Sequence, residues 1–165
     1  VVSRLETYKR VDLVVEAFNK LGKELHIVGK GVEEQRLRSM AGQNVIFRQG
    51  LSMKELAAEY AGARAFIFPQ EEDFGITPLE ANASGIPVIA YGKGGVLETM
   101  VPLRSDNASE ASAIFFDEQT VDSLISGIVN FEKNESVFDR SAIINNADRF
   151  SIERFEREIR AVVEN

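Results

Sequence analysis

At 165 residues, 44% hydrophobic and 27% charged, the chain has the size and composition of a single globular domain with a full hydrophobic core. Its 19 basic and 26 acidic side chains give a net charge of −7, which argues against a nucleic-acid partner, because phosphate-backbone binding needs a basic face. The absence of cysteine excludes disulfides, thiolate metal sites and a cysteine nucleophile, and no apolar run approaches the ~20 residues that span a bilayer.

Val1-Val2 reads as the stub of a first strand, and the segment is expected to be cut from a longer protein. Val11, Val14, Val15, Phe18 and Leu21 then recur at helical spacing and predict an amphipathic helix. Residues 24–28 read as a strand ending in Gly29-Lys30-Gly31, residues 33–40 as a charged helix, and residues 44–48 as a third strand. Ser52-Met53-Lys54-Glu55 is a capping box that opens a helix with Met53, Leu56, Ala57 and Tyr60 on one stripe. Residues 64–69 are nearly all apolar, as a parallel strand covered on both faces should be. A helix over 78–84, a buried strand over 86–90 and a short helix near 96–100 follow. After a polar loop at 102–112 come a last strand at 113–116 and helices over 121–131, 137–147 and 152–163. In the last helix Ile152, Phe155, Ile159, Val162 and Val163 share a face.

Strands alternating with helices predict an α/β fold, a doubly wound parallel sheet with right-handed crossovers. Ligands of such sheets bind beyond the carboxyl ends of the strands. Four loops fall there: residues 3–9, 29–31, 70–77 and 92–95.

The loop at 70–77 leads into Thr77-Pro78-Leu79-Glu80, which reads as a helix start with Thr77 as cap and Pro78 at the first position. Free N–H groups there suit a phosphate, while the flanking carboxylates Glu72 and Glu80 can only accept, and so suit hydroxyls. Phosphate in the middle with hydroxyls at the sides describes a nucleotide-sugar. Glu80 has a rival role, reaching back to the Thr77 N–H in a capping box. Glu72 has two: a solvated charge within Glu71-Glu72-Asp73, or one oxygen of a magnesium site, although three adjacent loop side chains rarely converge on one ion. Arg4 and Lys9 supply the positive charge a departing diphosphate needs, or else flank a helix start as solvated cations. Gly29-Lys30-Gly31 lacks the third glycine of the dinucleotide fingerprint, and no Walker lysine motif is present. His26, the one histidine, falls within a strand and reads as structural, with no identifiable carboxylate partner.

The run from Phe68-Pro69-Gln70-Glu71-Glu72-Asp73-Phe74-Gly75-Ile76-Thr77-Pro78-Leu79-Glu80 through Ala81-Asn82-Ala83-Ser84-Gly85-Ile86-Pro87-Val88-Ile89-Ala90 resembles the donor-site signature of the retaining glycosyltransferases of family 4, group 1. Ser3-Arg4-Leu5 with Lys9, Val28-Gly29-Lys30-Gly31, Gly94-Gly95 with Glu98, and Phe150-Ser151 with Phe155 match in the same order. The resemblance implies a Rossmann-like half of a GT-B fold: residues 1–165 as the C-terminal nucleotide-sugar domain, without the N-terminal acceptor domain against which part of the final helix would pack. It also implies roles. Glu72 would bind hydroxyls of the donor sugar, and Glu80 those of the ribose. Backbone N–H groups around Phe74, Gly75, Ile76 and Thr77 would contact sugar and diphosphate, with Gly94 and Gly95 beside them. Arg4 and Lys9 would stabilise the departing diphosphate, so that no metal or other cofactor is expected. Gly29, Gly31 and the turn ending at Leu51 would border the base.

The wording around Glu72 and Tyr91-Gly92-Lys93-Gly94-Gly95 is similar to bacterial GDP-mannose-dependent mannosyltransferases of surface-polysaccharide assembly. This implies a lipid-linked or glycan acceptor, and a cytoplasmic protein, peripheral at the inner face of the membrane. Asn82 stands where the family often carries Met, and reads as a tolerated helix position. Two other classes share the features. A non-hydrolysing nucleotide-sugar epimerase of this fold would need further catalytic carboxylates and histidines. A non-catalytic binding module would bind nucleotide without turnover.

Overall fold

The computed structural model of the chain describes residues 1–164. A 3-10 turn (Thr7–Lys9) leads into α1 (Val11–Leu21), β1 (Leu25–Val28), α2 (Glu34–Met40), β2 (Val45–Arg48), α3 (Met53–Gly62) and β3 (Phe66–Phe68). Then come α4 (Ile76–Ala83), β4 (Val88–Tyr91), α5 (Val96–Thr99), β5 (Ala113–Phe116), α6 (Val121–Asn134), α7 (Arg140–Asp148) and α8 (Ile152–Val163), with a second 3-10 turn at Glu135–Val137 between α6 and α7. The alternating order read from the sequence is the order observed, and every named strand pair is parallel.

The strands form two short sheets. β1 pairs with β2 from Leu25↔Val45 to Val28↔Arg48, and β4 lies between β3 and β5. Val1-Val2 is less than a strand: one parallel bridge joins Val2 to Val28, flanked by Val28 N–H to Val1 O (2.8 Å) and Ser3 N–H to Val28 O (3.0 Å).

Strand alternation explains the apolar runs. Ile67, Ile89, Tyr91, Ile114 and Phe116 face a core completed by Val11, Val14, Val15 and Phe18 of α1 and by Leu124, Ile128 and Phe131 of α6. Phe66, Phe68, Val88, Ala90 and Ala113 face the opposite side, with Tyr60 of α3, Ala81 of α4 and Val96 of α5. With both faces covered, no position along β3 or β4 is left for a polar side chain.

Asn82 corrects the expectation of a merely tolerated position. It is fully buried in α4, donating to Ile86 O (3.0 Å) and Ser112 O (3.4 Å) and accepting from the Asn146 amide (2.9 Å). Asn146 of α7 also donates to Thr99 O (2.8 Å). One buried amide pair therefore ties α4 to α7, to the residues leading into β4 and β5, and to the end of α5.

Helix α8 spans the predicted residues, capped by Ser151, whose hydroxyl accepts from Arg154 N–H. Its apolar face is uncovered: Ile152, Phe155, Ile159, Val162 and Val163 are all exposed. Among the described residues no helix is long and apolar enough to cross a membrane.

Candidate functional site

The four loops expected at the carboxyl ends of the strands meet. Leu5, fully buried, anchors the first: its N–H donates to Lys30 O (3.0 Å) and its carbonyl accepts from Glu33 N–H (2.9 Å). This close passage requires glycine, since a Cβ at Gly29 would lie 1.8 Å from Ser3 O and one at Gly31 2.3 Å from Leu5 O. The other two loops abut in the same way. Gly95 N–H donates to Glu72 O (2.7 Å), and a Cβ at Gly94 or Gly95 would collide with the carbonyl of Glu72 or Asp73. Gly29, Gly31, Gly94 and Gly95 thus set the spacing of the rim by letting backbones touch.

The two loop pairs are joined by an ion pair between Lys9 and Glu72. Lys9 is buried and Glu72 half-buried. Arg10 follows immediately at φ 52°, the one non-glycine at positive φ among the described residues, in a conformation that costs about 1–2 kcal/mol. Burial, and then the nearby Arg4 charge, pull the Lys9 ammonium below the usual lysine range. Arg4 is exposed and makes no ion pair among the described residues. It lines an open groove of about 830 Å³ with Ser3, Gly29, Gly31, Gln49 and Thr77. Leu51, Lys9, Glu72, Glu80, Gly94 and Gly95 are not among the residues lining that groove.

The helix start is displaced from its predicted place. Gly75, at φ 82°, is the N-cap, so α4 begins at Ile76 and Thr77 is already its second residue. The left-handed turn available to glycine brings the chain into the helix two residues early, and Pro78 is still tolerated within the first turn. No side chain caps this end. Its first N–H groups and partial positive charge are left for an anion. The Thr77–Glu80 capping box is absent, whereas the Ser52–Glu55 box of α3 forms as predicted. Thr77→Ala is accordingly expected to change unfolding free energy by less than about 0.5 kcal/mol. Losing a true threonine cap costs about 1 kcal/mol, a difference that denaturant titration resolves.

Glu80 is instead held by Tyr60, whose hydroxyl donates to Oε2 at 3.0 Å. Phe74, 47% exposed, meets Phe150 edge-on at 5.9 Å, which brings the end of α7 against the loop that carries Glu72. Ile76 is exposed beside it.

Sequence reading misses Tyr60, which the sequence marks only as part of a helix stripe. It also misses the partner of His26: Nδ1 lies 2.5 Å from Glu59 Oε2, and Arg48 Nε lies 3.3 Å from the same carboxylate. No local pattern marks that pair, because β1 and α3 are brought together only by the fold. Near it, at the amino ends of β1 and β3, lies a second cavity of about 580 Å³ lined by Leu25, Ala65, Phe66 and Ile128.

Known proteins resemble the chain in sequence and in shape. It is 34% identical over 118 residues to the GDP-mannose-dependent alpha-(1-6)-phosphatidylinositol monomannoside mannosyltransferase of Mycolicibacterium smegmatis, covering 61% of this chain and 31% of that protein. It is 44% identical over 72 residues to the alpha-1,3/1,6-mannosyltransferase ALG2 of Eremothecium gossypii, covering 42% of this chain and 14% of that protein. The chain thus spans under a third of the length of these relatives. Its fold matches the apo lipopolysaccharide outer core galactosyltransferase WaaB, a GT-B enzyme, with a TM-score of 0.78 at 19% identity, over 99% of this chain and 48% of that one. The pattern of the Glycosyl transferases group 1 family runs through residues 1–150, taking in all four rim loops, the Lys9–Glu72 pair and the uncapped start of α4, and the chain belongs to that family.

Proposed function

We propose that this chain is the C-terminal, donor-binding half of a retaining glycosyltransferase, and that the full-length enzyme transfers mannose from GDP-mannose to a glycan or lipid-linked acceptor. The observation that carries the reading is the meeting of Lys9 with Glu72 beside the open N-terminus of α4. A cation for a diphosphate and an acceptor for sugar hydroxyls share one point on the rim. The mannosyltransferases among the relatives support the choice of sugar and base.

In this mechanism the start of α4 and the cations Arg4 and Lys9 hold the diphosphate. They take up the charge that develops as the bond between the anomeric carbon and the phosphate oxygen breaks. The acceptor hydroxyl attacks from the same face, its oxygen bonds to the anomeric carbon, and its proton passes to the departing phosphate oxygen, so that GDP leaves. This route uses no histidine base, and His26 is engaged with Glu59. It places no metal on the diphosphate, because the two cations and the helix start meet its charge. Glu72 fixes the sugar through its hydroxyls, and Glu80 accepts from the ribose. The acceptor site belongs to an N-terminal domain resting on the apolar face of α8, so that residues 1–165 alone bind donor without turnover. We place the enzyme in the cytoplasm, peripheral at the inner membrane face where lipid-linked acceptors lie.

The test is transfer by the full-length enzyme from GDP-mannose to a lipid-linked acceptor, with the anomeric configuration read by NMR. An α-linked mannoside is expected. A β-linked product, or turnover confined to UDP- or ADP-sugars, contradicts the proposal.

A further inference from the structure

We infer that Tyr60 is a positioning residue for nucleoside recognition: its hydroxyl fixes the Glu80 carboxylate so that the remaining lone pairs face the ribose diol. The inference rests on the donor-site reading of Glu80 given above.

Two residues of opposite character meet here. Tyr60 is 5% exposed, held in α3 with its ring 5.8 Å from that of Phe66. Glu80 is exposed, on the first turns of α4. An exposed glutamate ordinarily samples many rotamers, and fixing it costs side-chain entropy. The hydrogen bond from a rigid phenol meets much of that cost before any ligand arrives, and preorganisation of this kind appears as affinity. Burial, followed by the Glu80 charge, pushes the phenol well above the ordinary tyrosine range, so Tyr60 remains a donor.

Hydrogen-bond capacity gives the direction. An ionised carboxylate offers about four lone-pair positions and donates nothing. Tyr60 occupies one on Oε2, which leaves Oε1 and the second position of Oε2. Two adjacent oxygens held in one plane match the two donors of a cis-diol, a pairing that a freely turning carboxylate makes only at entropic cost. The absence of the capping box leaves this carboxylate free for that use.

The test compares GDP with 2′,3′-dideoxy-GDP by calorimetric titration of the wild-type protein, Tyr60→Phe, Glu80→Ala and the double variant. Wild type is expected to bind GDP more tightly than the dideoxy analogue. Tyr60→Phe, which keeps the ring packing, should weaken GDP about five- to tenfold, the scale of one hydrogen bond, and leave dideoxy-GDP unchanged. In the Glu80→Ala background the same change should have no effect on either. Folding of Tyr60→Phe is checked by thermal denaturation, and the titrations are made below its midpoint, where the ring packing against Phe66 is intact. Equal weakening of both ligands, or of neither, overturns the role of Tyr60. Equal affinity of wild type for GDP and dideoxy-GDP overturns the ribose assignment of Glu80, and with it this inference. Absence of GDP binding overturns the donor site itself.

Discussion

Arg4→Ala is expected to lower turnover of the full-length enzyme by about 10²–10³-fold, the scale of removing one preorganised charge-stabilising donor. The residue sits on the rim of the groove beside Gly29, Gly31 and Thr77. Its backbone is tied down by the bonds of Ser3 and Leu5 to Val28 and Lys30. Arg4 is also uncommitted. Lys9 is already paired with Glu72, so a departing diphosphate must compete for it, whereas Arg4 has no ion pair among the described residues. The charge of the diphosphate grows as the glycosidic bond breaks, so the loss should fall on kcat more than on KM. Because Arg4 is exposed, its removal should leave the melting temperature nearly unchanged. Arg4→Lys keeps the charge without the planar fork, and should recover part of the rate. Steady-state kinetics on the three proteins checks this, and wild-type turnover in Arg4→Ala would remove the residue from the mechanism.

Asn82→Ala is expected to cost about 3 kcal/mol of folding free energy, without touching the ligand. The substitution strands the carbonyl of Ile86 and leaves the Asn146 NH2 with only Thr99 O, while Ser112 O loses one of two donors and keeps Val88 N–H (3.0 Å). Each buried polar group left unpaired costs about 1–3 kcal/mol, and partial relaxation keeps the total below the sum. For a chain of this length that is a fall in melting temperature of roughly 6–10 °C. The effect should reach function indirectly, because Asn82 lies on α4, whose N-terminus is the proposed phosphate site. Nucleotide affinity at low temperature should stay close to wild type while the thermal midpoint drops. Asn82→Met should fare no better than alanine, since an apolar side chain of suitable volume still strands the same partners. Differential scanning calorimetry on both variants decides the matter.

These two residues mark what sequence did and did not disclose. The position of Arg4 was legible because the loop after the first strand must lie at the carboxyl edge of a parallel sheet, although a solvated cation flanking a helix start fits the same local pattern. Element order, the Ser52 capping box and the bounds of α8 were legible for the same kind of reason, since apolar spacing and cap residues are local signals. Asn82 was not legible. In the sequence it is one polar residue on a short helix, and its value depends on Asn146, far along the chain. The start of α4 was misplaced because Thr-Pro-Leu-Glu satisfies a capping box on paper, while Gly75 offered an earlier entry through positive φ. That error hid the real partner of Glu80, because Tyr60 lies on a different helix. The Lys9–Glu72 contact falls between these cases. Each side chain could be placed on the rim from sequence, but only the fold makes them touch.

The central claim is that Arg4, Lys9, Glu72 and Glu80 surround a guanosine-diphosphate-linked sugar. Calorimetric titration of the protein with GDP, UDP, ADP and GDP-mannose tests it most directly, with Arg4→Ala and Glu80→Ala beside wild type. The account predicts one binding site, GDP preferred over UDP and ADP, GDP-mannose bound at the same site, and GDP affinity reduced in both variants. Wild-type affinity in both variants, or preference for UDP or ADP, would contradict it.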